Sequence, residues 1–195
     1  MAGGVPLAPT QPADPYAWAV QQANREYPRL AQYNMRLTYN PNREGYSETF
    51  PPKGEDANPF PGNWTVEMGN SPYYRNRSSW PGLVALEGLH ALQAEDPKYQ
   101  GMTSQLQKMV MANPQQMAQG QKRYAQNLAQ DPRDQRTLDQ FFAQVFVPEV
   151  IRDRMFGDLF HKMEGAPVGG WNEYKLTPDQ QKLIDQIHQY VRTTD

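Results

Sequence analysis

Apolar positions recur at helical spacing through most of this 195-residue chain and alternate at a spacing of two only briefly. The strongest helical signal is Leu138, Phe141, Phe142, Val145 and Phe146, at i, i+3, i+4, i+7 and i+8. It predicts one apolar stripe along a helix that follows Asp131-Pro132. Pro148 interrupts the stripe, and Val150, Ile151, Met155, Phe156, Leu159, Phe160 and Met163 continue it. A first helix is expected from Pro15 to about Ala31, with Asp14 as N-cap. Trp18, Val20, Ala23, Tyr27 and Leu30 are available for its face, and Pro28 kinks it or ends it early. The last helix has the clearest start, because Thr177-Pro178-Asp179-Gln180 is a capping box with proline at the first helical position. Leu183, Ile184, Ile187, Tyr190 and Val191 form its apolar face.

Between these lie weaker signals. Met35 to Tyr39 reads as a short strand and Asn40-Pro41-Asn42 as a turn. Residues 43–63 are dense in Pro, Gly, Asp and Asn and are expected to form one long irregular loop. Trp64-Thr65-Val66-Glu67-Met68 alternates at period two, which predicts a strand with one covered face. Ser78-Ser79-Trp80-Pro81 opens a helix carrying Leu83, Val84, Leu86, Leu89, Ala91 and Leu92, ending near Ala94. Met102–Ala112 and Pro114–Ala129 are helices rich in Gln and Met, separated at Asn113-Pro114. The second has too few large apolar residues for a central position. Residues 165–170 read as a hinge-like loop. The order predicts an α+β fold, mostly α: residues 1–14 as an extended Pro-rich arm and 15–195 as a single domain.

Composition narrows the classes. There is no cysteine, so disulfides, thiolate metal sites and cysteine nucleophiles are excluded. Mean hydropathy is −0.86, yet four Trp, eleven Tyr, seven Phe and nine Met provide for a modest aromatic core. The net charge is −2 with 19 scattered Lys and Arg, and no basic stripe of the kind nucleic-acid binders show. No apolar run reaches the roughly 18–20 residues that span a bilayer, and the first ten residues lack the pattern of a signal peptide. A soluble protein, intracellular or part of a virion, is expected, without nucleic-acid or membrane partners.

The candidate chemistry centres on Leu86-Glu87-Gly88-Leu89-His90. The zincin motif H-E-x-x-H places two imidazoles one helical turn apart on one metal, with the intervening Glu polarising the attacking water. Here Glu87 and the second histidine, His90, are present and Leu86 stands in place of the first. The context resembles the minimal gluzincin-type metallopeptidase core over about residues 64–155. A strand precedes the helix, His90 is followed by Ala91-Leu92-Gln93, and Glu149-Val150-Ile151-Arg152-Asp153 has the spacing of the family's third ligand and orienting Asp. The resemblance implies His90 and Glu149 as metal ligands, Asp153 behind them, Glu87 as general base, and zinc as cofactor if the site is active. Leu86 departs from that pattern and leaves two protein ligands, where catalytic zinc usually has three.

Each of these residues also has a plainer reading. Leu86 fits as core, His90 as a hydrogen-bonded buried histidine, and Glu87 as a residue facing solvent or an arginine. Glu149 and Asp153, flanking Arg152 and Arg154, fit a surface ion-pair network. Asp158-Leu159-Phe160-His161 repeats the carboxylate-x-x-His spacing, and His161 is a further candidate ligand. His188 falls on the polar side of the last helix. Tyr73, Tyr74 and Trp80 with Arg75 and Arg77 suit either stacking on a ligand or a loop packed on a helix. The expected function is a non-enzymatic structural or interaction protein, in the style of a bacteriophage virion component, on a degenerate zincin-like scaffold without a cofactor. Its protein partners would meet the arm and the Gln/Met-rich helices, among them Met102, Met109, Met111 and Met117. The alternative is an active zinc metallopeptidase using Glu87.

Overall fold

A computed structural model of the chain describes residues 14–43, 47–52, 62–157 and 175–194. Asp14 caps the first helix, α1 (Pro15–Glu26), by accepting from the Tyr16 and Ala17 amides at 2.9 and 3.1 Å. Pro28 ends α1 early: its ring and missing N–H convert the next six residues, Pro28–Tyr33, into a 3₁₀ helix. Strand β1 (Arg36–Tyr39) follows, then β2 (Glu48–Phe50) and β3 (Thr65–Met68). They form one sheet in the order β1-β3-β2, with β3 parallel to β1 and antiparallel to β2.

Two expectations are corrected here. The region 43–63 is not all loop, because Glu48–Phe50 pairs with β3 in the register Glu48↔Glu67. And β3 is the central strand, buried at all four positions instead of on one face. Its two polar residues survive burial by pairing: Glu67 accepts from Asn40 at 3.0 Å and from Arg43 at 2.7 Å.

The helices cover one another around α2 (Trp80–Glu95), which is followed by α3 (Pro97–Ala112) and α4 (Pro114–Gln130). Asp96 and Asn113 cap the last two with their side chains. The strong stripe at 138–146 is realised as α5 (Leu138–Phe141), a π-helical turn (Phe142–Phe146) and α6 (Val147–Phe156). Pro148 therefore does not break the helix. The wide turn just before it absorbs the backbone bond that proline cannot make. The predicted capping box opens α7 (Pro178–Val191) as expected. The fold is α+β and mostly α, and no described helix is long and apolar enough to cross a membrane. Residues 1–13 of the arm, and 158–174 with Leu159, Phe160, His161, Met163 and the glycine-rich loop, lie outside the described residues.

Buried polar bonds fix α7 on the bundle. Gln116 and Gln180 exchange amide bonds at 2.8 and 2.7 Å, and Tyr190 donates to Asp96 at 2.9 Å. The Gln/Met-rich helices are not free surfaces: Met102, Met109, Met111 and Met117 all pack partly buried against the core. Gly120 of α4 lies flat on the Phe142 ring, and any side chain there would drive into it. We expect Gly120→Ala to lose roughly 1–3 kcal/mol in urea denaturation through overpacking. Gly101→Ala, facing open space on α3, gains roughly 0.5–1 kcal/mol from helix propensity.

Candidate functional site

Helix α2 is buried without a break from Leu83 to Leu89. An apolar surround on every side obliges any polar side chain on that stretch to find its partners inside the protein. Glu87 is such a residue, 3 % exposed. It faces neither solvent nor an arginine. Its two oxygens accept from the Ser47 hydroxyl at 2.7 Å and the Thr49 hydroxyl at 2.5 Å. Glu87 thus pins β2 to α2, and β2 is the edge of the sheet on that side. Trp64, at the entry to β3, donates its indole N–H to Glu95 at 2.8 Å and closes the far end of the same wall.

His90, one turn on from Glu87, opens onto a cavity of 480 Å³ bounded by β2, Trp64, α2 and Arg152 of α6. Arg152 is 8 % exposed and its guanidinium Nη2 lies 2.8 Å from His90 Nε2 and 3.1 Å from Nδ1. One Nη2 this near both ring nitrogens lies against the imidazole ring, off the lone-pair axis of either. Burial and the Arg152 charge both push His90 down, from 6.5 to about 4, against the opposing pull of Glu87. The nearest Glu87 oxygen is 3.6 Å from Nε2, beyond hydrogen-bond range. His90 is therefore a neutral imidazole held between a buried cation and a buried carboxylate.

The structure brings Glu87 and His90 together and leaves Glu149 and Asp153 out of the cavity. Glu149 lies one turn before Arg152 on α6, and its charge acts on Arg136. The residue of α6 that meets His90 is Arg152, so a surface ion-pair network does not describe it. Leu86 is fully buried, as the core reading expected. His188 is not solvated: its ring stacks on Tyr27 with centroids 6.2 Å apart, and burial lowers its pKa. Trp80 is buried with its indole N–H on the Tyr74 carbonyl at 2.8 Å, so that loop does pack on α2.

Sequence reasoning missed Arg152, Ser47, Thr49 and Trp64. A signal for Arg152 was present, because Pro148, Ile151, Arg152 and Met155 follow i, i+3, i+4, i+7 and place an arginine on the stripe that packs inward. The residues present do not fit a zinc ion. The Arg152 cation lies within 3.1 Å of both His90 ring nitrogens, and a dication bound about 2 Å from either would meet its charge. Among the described residues no three His, Asp or Glu side chains converge on one point. Comparison with family models, with curated proteins and with solved structures finds no match.

Two outcomes follow from this geometry. The unfolded chain takes up a proton on His90 as pH falls through about 6.5, whereas the folded protein resists until about 4. Stability contributed by neutral His90 is therefore complete above that window and lost progressively on going down through it. In urea denaturation at a series of pH values, His90→Gln removes this part of the decline, while His188 keeps its own share. Separately, Glu87→Leu strands the Ser47 and Thr49 hydroxyls and costs roughly 1–3 kcal/mol at neutral pH, measured by the same denaturation.

Proposed function

We propose that this chain is a non-enzymatic structural or interaction protein, of the virion-component kind, on a zincin-like scaffold in which the Arg152 cation stands against His90 where the family has a metal. The observation that carries this reading is the Arg152 guanidinium 2.8 Å from His90 Nε2. A buried cation within 3.1 Å of both ring nitrogens repels a dication at either of them. Glu87 supports the same reading. Both of its oxygens accept hydroxyl protons from the edge strand, which suits bracing better than activating a water.

Under this reading the edge strand that the resemblance calls for would be β2, not the strand at 65–68. It runs antiparallel to its neighbour and is tied by Ser47 and Thr49 to the helix that bears Glu87 and His90. The helix expected to supply the third ligand does reach His90, but with Arg152 in place of Glu149. An assembly role agrees with the Pro-rich sequence before Asp14 and the lack of cysteine.

The test is the zinc content of protein purified and dialysed without chelator, measured by atomic emission beside a His90→Ala variant. We expect far less than stoichiometric zinc in both. One zinc per chain, lost in His90→Ala, would overturn the reading and restore the metallopeptidase with Glu87 as base.

A further inference from the structure

A second concave site lies at the first turn of α2, about two turns before Glu87. Its 330 Å³ is lined by Tyr16 of α1, Tyr39 at the end of β1, Asn70 after β3, Arg75 and Arg77 of the 3₁₀ turns, and Trp80. The volume falls at the small end of the roughly 300–1,000 Å³ typical of ligand pockets. Its floor is rigid. Tyr16 and Trp80 stack with centroids 5.2 Å apart and planes 4° from parallel, and the Trp80 indole is tied to the Tyr74 carbonyl. Tyr39 has a different place: it is 41 % exposed, the one large ring so exposed among the described residues.

The charges are as uneven as the rings. From Gly69 to Ser79 the chain carries Arg75 and Arg77 and no acidic residue. Both arginines are exposed, and neither forms an ion pair with a described carboxylate, whereas Arg43, Arg133, Arg136 and Arg192 each do. Arg77 instead rests over the Trp80 ring at 5.8 Å, which orients its guanidinium without neutralising it. Two uncompensated planar guanidiniums beside an exposed ring suit a ligand with a flat face and an adjoining oxyanion.

We propose that this cavity binds one nucleotide unit of a single-stranded nucleic acid, its base stacked on Tyr39 and its phosphate held by Arg75 and Arg77. Asn70 stands beside the Tyr39 hydroxyl, 3.4 Å away, where its amide can meet a base edge. The whole-chain charge of −2 hides this pair of arginines, and it also limits the contact to a short strand. A duplex would need a longer basic face. An acidic peptide would use the arginines and leave the ring idle.

The test is fluorescence anisotropy with a labelled oligothymidylate of about eight nucleotides, inside the roughly 4–16-nucleotide range of single-strand sites. Binding is expected at low salt, with a log–log salt slope of about −0.7 for the one phosphate held on a single strand. The double variant Arg75→Ala, Arg77→Ala abolishes the slope and weakens binding at least tenfold. Tyr39→Ala weakens it about tenfold while leaving the slope in place, and Tyr39→Phe retains affinity. Each variant is checked by thermal melting, and these surface changes leave the melt unaltered. The proposal is overturned by an absence of binding at low salt or by variants that bind as well as the parent. It is also overturned if inorganic phosphate or an oligoglutamate displaces the oligomer as readily as thymidylate does.

Discussion

Helix α2 is apolar on all sides, and most of the described structure is arranged by that constraint. Ten of its sixteen residues are buried, so the helix is a central rod, not a surface helix with one wet face. Glu87 near its middle cannot reach bulk water, and His90 opens only onto the cavity beside it. Each recruits a partner from a different layer: Glu87 takes the hydroxyls of Ser47 and Thr49 from the sheet edge, and His90 takes Arg152 from α6. The 3₁₀ helix at Pro28–Tyr33 reaches the same rod through Leu30. That side chain sits so close to Gly88 that an added Cβ would lie 2.8 Å from its Cδ1. One short glycine therefore sets how near the first layer approaches, and two polar residues set what the others must offer.

The second determinant is the π-turn ahead of α6. A straight α-helix would carry the Phe142 row on to Glu149, seven residues later. A π-turn accommodates one extra residue, which moves the row on by one position, and Val150 and Ile151 are the residues found buried. Glu149 is displaced from the stripe. Arg152 remains close enough to the boundary of that stripe to turn inward and meet His90. The identity of the group facing His90 is thus decided by a backbone irregularity some eight residues earlier, at a place where Pro148 removes an amide donor.

Features set by neighbouring residues were legible in the sequence. Asp14, Asn113 and the capping box at Thr177 act within a single turn, and those helix starts fall where the residues place them, whereas the stripe expected to follow Asp131-Pro132 starts only at Leu138, behind a box at Thr137. The fold class followed from counting such elements. Strand β2 was not legible, because three residues between turn-rich segments gain strand character only from pairing with β3, about seventeen residues on. The burial of β3 on both faces depends on what covers the sheet, which alternation along one strand cannot reveal. At the candidate site the split is the same. Glu87 and His90 stand one turn apart, as helical spacing requires, but their partners come from forty residues before and sixty-two after.

The charge balance at that site explains why a metal and the arginine are alternatives under the proposed reading. A buried carboxylate such as Glu87 is tolerated where hydrogen bonds and a nearby cation offset its desolvation. In a zincin the metal is that cation. Here Arg152 brings one positive charge to the same side of His90, and its attachment to α6 makes it part of the packing, not an exchangeable ion. Leu86 fits that arrangement, since an apolar side chain asks for no partner at a position with no exposure. Under that reading a histidine at position 86 alone would not recreate a zinc site, because the Arg152 charge would still stand against His90.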